Sequence, residues 1–104
     1  MAKINGFGDR VYCLTKYLPD EERFGLVSQM RRCVISVPSN IAEGRRRGSR
    51  SDYQRFLFIA FGSAAELETQ LEIVSRLGYA PKNQIERIKK LLTEVLKMLN
   101  KMAR

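Results

Sequence analysis

The spacing of apolar residues near the end of the chain constrains the fold more than any other feature of the sequence. The intervals alternate between three and four, at Ile85, Ile88, Leu92, Val95, Leu99 and Met102. This spacing forms one apolar stripe on a helix of 3.6 residues per turn, with Lys and Glu on the other faces. Pro81 precedes the segment, and its fixed φ suits a helix start. The sequence therefore predicts an amphipathic helix of about twenty residues.

A second periodic segment covers about residues 51–77. Its apolar positions keep the same spacing and are Tyr53, Phe56, Leu57, Ala60, Ala64, Leu67, Leu71 and Val74. Either Ser49 or Ser51, each followed three residues later by a polar partner, supplies a capping pattern at its start. Gly78 is a typical helix stop. We therefore expect a long helix that ends just before Gly78.

Two further helices are predicted in the first half of the chain. The first is short, ends at Pro19 and buries Phe7, Val11, Leu14 and Leu18. The second begins at Asp20, because acidic residues favour the first turn of a helix. Its apolar positions include Phe24, Val27, Met30, Val34, Val37 and Ile41. Four helices joined by short turns predict an all-α, antiparallel up-down four-helix bundle, with residues 1–104 forming one domain.

Pro38 lies inside the predicted second helix. A helix-interior proline costs about 3 kcal/mol and bends the axis. Two interpretations remain open: the helix is kinked at Pro38, or it ends there and restarts with Ser39 or Asn40 as its cap. The local sequence does not decide between them.

The stretch 56–65 is apolar or small on every side of its helix. A helix in a four-helix bundle normally has one polar, solvent-facing side. A helix that is apolar all round must therefore be buried on its outer side as well. We expect a subunit interface there, rather than a merely central helix, formed by Phe58, Phe61, Gly62 and Ala65.

Positive charge dominates the chain, with a formal net charge of +8. Residues 31–55 carry seven arginines against Glu43 and Asp52, and residues 82–104 carry another seven basic residues against two acids. Basic surfaces gain affinity for polyanions by releasing counterions from phosphates. The candidate nucleic-acid-binding residues lie in the turn before the third helix and are Arg45, Arg46, Arg47 and Arg50. The alternative is an ordinary charged turn whose arginines cap the preceding helix.

No catalytic constellation is apparent in the sequence. The chain has no histidine, which excludes His-based acid–base catalysis and His metal ligands. Cys13 and Cys33 are expected to be reduced core thiols. Glu66 is expected inside the bundle, in a structural ion pair with Arg31 or Arg32, because a carboxylate among apolar neighbours needs a partner. We therefore expect no enzyme activity, metal or cofactor.

Neither a signal peptide nor a transmembrane segment is visible. The longest apolar runs fall short of the roughly eighteen residues that a membrane span needs, and polar residues follow Lys3. We therefore expect a cytoplasmic protein with no membrane partner.

Four motifs resemble one family, the 23S rRNA intervening-sequence proteins. They are GLVSQMRR at 25–32, SVPSNIAEG at 36–44, AFGSAAELET at 60–69 and LGY at 77–79. The chain is also similar to the accessory variability protein of diversity-generating retroelements. The resemblance implies a bacterial four-helix protomer in a ring-like homopentamer, a second helix that is kinked but continuous at Pro38, and no enzymatic activity.

The resemblance also bears on partners. The retroelement relatives bind nucleic acid and a reverse transcriptase, so both are candidate partners here. Family members usually have a longer first helix, whereas only ten residues precede Val11 in this chain. Two functions remain open: an oligomeric, non-sequence-specific nucleic-acid-binding protein, or an oligomeric scaffold for a protein partner. No base-reading module is present, so any nucleic-acid binding should be electrostatic rather than sequence-specific. The sequence does not say whether RNA or DNA is preferred.

Overall fold

Four α-helices and one 3-10 turn account for nearly the whole chain in the computed structural model, which describes residues 1–104. The helices are α1 (Ala2–Thr15), α2 (Leu26–Arg46), α3 (Arg50–Leu77) and α4 (Lys82–Ala103). No strand is present, so the all-α, four-helix prediction is confirmed. Each helix packs only against its neighbours around the bundle, in the order α1, α2, α3, α4 and back to α1. Consecutive helices are antiparallel; the connections at 47–49 and 78–81 are short, whereas the 3-10 turn lies in a longer connection between α1 and α2.

The ends of α3 follow the predicted signals. The hydroxyl of Ser49 accepts a hydrogen bond from the backbone N–H of Asp52 at 3.1 Å, so Ser49 rather than Ser51 is the cap. Gly78 adopts a left-handed conformation with φ of 66°, and its N–H donates to the last turn of α3. Glycine suits that position because side chains disfavour positive φ.

The predicted start of the second helix at Asp20 is wrong. Asp20–Glu22 forms the 3-10 turn, and α2 begins only after Gly25. A carboxylate oxygen of Glu22 accepts from the N–H of Leu26 at 3.3 Å, and its other oxygen accepts from the hydroxyl of Tyr79 at 3.1 Å. Glu22, which precedes α2 in the chain, therefore caps the N-terminal end of this helix. Phe24 consequently lies outside the helix and is 89% exposed instead of joining the core.

Helix α2 is continuous through Pro38. The interpretation in which the helix ends and restarts there is therefore wrong, while the bend remains a prediction. The side-chain amide of Asn40 donates to both the carbonyl and the hydroxyl of Ser36, at 2.8 and 2.9 Å, across the turn that contains the proline. These bonds add polar contacts where proline has no N–H of its own to donate.

The apolar stripes of all four helices meet in one core. Its largest fully buried members on α2, α3 and α4 include Met30, Ile41, Leu57, Leu67, Leu71, Ile88, Leu92 and Leu99. Cys33 belongs to this core, but Cys13 is exposed, so only one of the two expected core thiols is buried. None of the helices combines the length and the apolar character that crossing a membrane requires.

Candidate nucleic-acid interface

Three helix termini converge at one end of the bundle, where α2 ends, α3 begins and α4 ends. The guanidinium of Arg50 donates to the carbonyl oxygens of Met102, at 3.3 Å, and of Arg104. One turn further along α3, the amide of Gln54 donates to the carbonyl of Ala103 at 2.6 Å. The arginine turn and the basic C-terminal segment, which lie far apart in sequence, are therefore neighbours in space.

This convergence concentrates most of the net positive charge, and we call it the basic end. Residues 43–55 and 95–104 hold eight basic side chains against Glu43 and Asp52, which gives +6 of the total +8. At the opposite end, residues 16–26 and 72–87 hold five basic and five acidic side chains. The molecule is thus electrically polarised along the bundle axis.

Two arginines of the basic end share one aromatic ring. The guanidinium carbons of Arg47 and Arg55 lie 5.0 and 4.6 Å from the ring centroid of Phe56. The Nε of Arg47 is 3.1 Å from a carboxylate oxygen of Glu43, and the Nε of Arg55 is 3.9 Å from one of Asp52. Arg55 was not among the residues predicted from the sequence, although its position directly before an aromatic residue was a visible signal.

The four predicted arginines have different surroundings. Arg45 and Arg46 are exposed at the end of α2 and take part in none of the ion pairs or side-chain hydrogen bonds. Arg47 lies over Phe56, as described above. Arg50 lies 5.5 Å from the ring centroid of Tyr53 and holds the end of α4. It caps α4 rather than the preceding helix, so its role is partly structural.

Gly44 allows Tyr53 and Phe56, the two aromatic residues near these arginines, to pack closely against α2. A Cβ atom at this position would be 3.0 Å from Cβ of Phe56 and 3.2 Å from Cδ1 of Tyr53. Only glycine therefore lets the last turns of α2 approach the first turns of α3 this closely. The close approach packs the Tyr53 ring and the Cβ atom of Phe56 against Gly44.

The predicted ion pair lies away from this end, at mid-height. Arg32 Nη2 is 3.3 Å from Glu66 Oε2, but the two side chains are 55% and 53% exposed. The expectation that Glu66 lies inside the bundle is therefore wrong for the single protomer. Arg31 turns to α1 instead, where its Nε donates to the hydroxyl of Thr15 at 3.1 Å. The reason is that Glu66 falls at the edge of the seam between α2 and α3, one position outside the core stripe.

The predicted interface residues lie on the outer side of α3. Phe58 is 62% exposed, Phe61 is 37% exposed and Gly62 is exposed, while Ala65 is partly buried. Ile59 adds a further exposed apolar side chain. These residues form one face that the other three helices leave uncovered, and we call it the α3 apolar face.

Comparison with known proteins places the chain in a family. The family model described as 23S rRNA-intervening sequence protein matches residues 2–101. The chain belongs to this family. The comparison with curated proteins found no match to the chain.

A solved structure resembles this chain over nearly its full length. It is the crystal structure of a protein of unknown function from the S23 ribosomal protein family of Bacteroides thetaiotaomicron. The TM-score is 0.89 and the sequence identity is 33%, with 99% of this chain and 96% of the other covered. The resemblance inferred from the four motifs is therefore confirmed at the level of family and fold.

Proposed function

We propose that this protein is a non-enzymatic accessory protein that binds RNA or DNA through its basic end. The observation that supports this proposal is that two basic segments, 43–55 and 95–104, form one surface with a net charge of +6. The opposite end of the bundle has zero net charge. Guanidinium groups suit phosphate oxygens because their N–H donors match them in pairs. No base-reading element is present, so binding would follow backbone charge rather than sequence.

We further propose that the protomer assembles through the α3 apolar face. Phe58 and Phe61 expose aromatic surface that a second copy would cover, and the exposed Gly62 permits close approach. The family resemblance favours a ring-forming homopentamer in which α2 is bent at Pro38. Cyclic symmetry would repeat the basic end five times on one rim, with a total formal charge five times +8. Weak phosphate contacts would then add up through multivalency.

A reverse transcriptase is the protein partner that the resemblance to retroelement accessory proteins suggests. A basic rim would hold a template or product near such an enzyme without contributing catalytic groups. RNA and DNA both satisfy this proposal, because phosphates are common to both.

The decisive experiment is a salt titration of binding to labelled RNA and DNA, followed by fluorescence anisotropy. The test variant replaces Arg45, Arg46 and Arg47 with Ala, and it leaves Arg50 in place because that residue holds α4. We expect weaker binding and a flatter slope of log K against log salt, by about 0.7 to 0.9 per lost phosphate contact.

The matched control replaces three exposed basic residues of the opposite end, Lys16, Lys82 and Arg87, with Ala. Residues of the C-terminal segment are not independent controls, because they belong to the basic end. Equal losses in the two triple variants would mean that attraction is diffuse and that the basic end is no site.

The second candidate function is a scaffold that recruits a protein partner. Phe24 favours it, because this aromatic ring is 89% exposed at the end of the bundle opposite the basic end. If the parent protein binds neither RNA nor DNA at moderate salt, the scaffold function replaces the first proposal.

A further inference from the structure

Arg47, Arg55 and Phe56 form an arrangement that goes beyond general positive charge. We propose that the two guanidinium groups, held over the Phe56 ring, are a clamp for a single backbone phosphate of the bound nucleic acid. Phe56 is then a positioning residue that touches no ligand. This inference rests on the proposed nucleic-acid function and assigns the place where a phosphate is gripped.

The shared ring sets an upper bound on the separation of the two guanidinium groups. Both guanidinium carbons lie within 5.0 Å of one ring centroid, so they are at most about 10 Å apart. Charge-assisted N–H···O bonds of about 2.8 Å place a guanidinium carbon roughly 4 to 5 Å from phosphorus. This upper bound is compatible with two arginines that contact one phosphate.

A carboxylate flanks the Nε side of each guanidinium. Glu43 approaches the Nε of Arg47, and Asp52 approaches the Nε of Arg55. The terminal Nη atoms of both arginines make no side-chain hydrogen bond within the protein. One carboxylate and one ring thus flank each group, and its two terminal amino groups make no hydrogen bond that a phosphate oxygen would have to displace.

The ring itself is not free to stack on a base. Phe56 is only partly exposed, its Cβ lies tightly against the α2 backbone at Gly44, and two guanidinium groups cover its ring. Preorganisation lowers the cost of ordering the long arginine side chains when a ligand binds. The expected ligand group is therefore the phosphodiester backbone, which RNA and DNA share, and not a nucleobase.

Variants with an unchanged net charge distinguish a clamp from diffuse electrostatic attraction. Phe56→Leu removes the ring and leaves every charge in place. The double variant R47K/R55K keeps two positive charges but loses the planar, forked donors. The matched controls are Phe24→Leu and Arg23→Lys, because Arg23 lies 5.5 Å from the Phe24 ring centroid in a similar contact at the opposite end.

The experiment measures the Kd of the assembled protein for a fluorescein-labelled polyuridine RNA by anisotropy at several salt concentrations. Circular dichroism and sedimentation velocity check that each variant keeps its helicity and size. We expect about five-fold weaker binding for Phe56→Leu, since each exposed cation–π contact contributes about 0.5 to 1 kcal/mol. R47K/R55K should lose at least as much, and both controls should bind like the parent.

Parent-like binding by both test variants would overturn the clamp while leaving the nucleic-acid function standing. Loss of binding by the controls to the same extent would also overturn it. A parent protein that binds no RNA or DNA overturns the clamp and the proposed function together. If Phe56→Leu fails to fold, R47K/R55K decides alone, because exposed Arg→Lys changes leave the core intact.

Discussion

Arg32 and Glu66 face each other across the seam between α2 and α3, with Arg32 Nη2 3.3 Å from Glu66 Oε2. The hydroxyl groups of Ser36 and Ser63 lie 2.8 Å apart one turn away along the same seam. The seam is therefore polar at its edge although its inner side is core. More than half of each charged side chain is exposed, so water screens their attraction.

Replacing Glu66 with Ala should therefore cost less than about 1 kcal/mol of unfolding free energy, since exposed ion pairs contribute little. Urea denaturation followed by circular dichroism measures the change. The control is Leu67→Ala at the adjacent, fully buried position. It should cost about 2 to 5 kcal/mol, because it leaves a cavity. A loss as large as the control's would mean that the assembled protein covers the pair.

Replacing Gly44 with Ala should destabilise the protein by about 1 to 3 kcal/mol, because the new methyl group overpacks the junction of α2 with Phe56 and Tyr53. Thermal denaturation compares it with Gly6→Ala in α1, where nothing lies within 4 Å of the added atom. Gly6→Ala should stabilise by about 0.5 to 1 kcal/mol through helix propensity. Similar effects at the two sites would contradict the close approach at Gly44.

Replacing Phe58 with Glu should dissociate the proposed oligomer and leave the protomer folded. Its side chain is 62% exposed in the single chain, so the charge is tolerated there but not in an apolar interface. Sedimentation velocity should show a 12.0 kDa species. The control Phe24→Glu makes the same change on a different surface and should keep the parent's size. A parent that sediments as a monomer at micromolar concentration would rule out the oligomer.

The two thiols should react at very different rates with iodoacetamide. Cys13 is exposed, whereas Cys33 has no exposed surface and receives hydrogen bonds from Gln70 and Arg32. Mass spectrometry of the folded protein should find Cys13 alkylated first, and urea should remove the difference. Equal rates under native conditions would mean that the α2–α3 seam opens readily.

The pKa of the Cys33 thiol should make stability fall at alkaline pH. Burial raises this pKa above the ordinary value of 9.0; the hydrogen bond from Gln70 opposes the shift, and the charge of Glu66 adds to it. The folded chain therefore holds the proton more tightly than the unfolded chain. This contribution is complete below the unfolded thiol pKa and is lost as the pH rises through the folded pKa.

Urea denaturation between pH 8 and about pH 10 measures this effect, because the unfolded thiol titrates in that interval. Cys33→Ala is the control, since it removes the titrating group, and its stability should decline less over the interval. Parallel pH profiles for parent and control would contradict a raised thiol pKa.

Local patterns were sufficient to predict α3 and α4. Their apolar spacing and the stop at Gly78 act within a few residues, so the sequence contains all the necessary information. The start of α2 was missed because Glu22 is held by Tyr79, a contact between residues far apart in sequence. The acidic first turn by itself looked like a helix start.

The basic end could likewise be predicted only in part from local sequence patterns. Arg45, Arg46 and Arg47 were recognisable as a charged turn. Their union with the C-terminal segment depends on Arg50 reaching Met102, 52 residues away, and no local pattern encodes that contact. The pairing of Arg55 with the predicted site likewise required the turn geometry that Gly44 permits.

The position of α1 has a consequence for motion. This helix has α2 and α4 as its neighbours and lies diagonally across the bundle from α3, and at 14 residues it is half the length of α3. Opening it would break fewer interactions than opening any other helix, so it is the expected first unit of sub-global unfolding. Its amides should therefore exchange with deuterium before those of α3. Ile4, Phe7, Val11 and Leu14 would then briefly leave a cleft between α2 and α4, which makes this edge of the bundle the one most vulnerable to proteases.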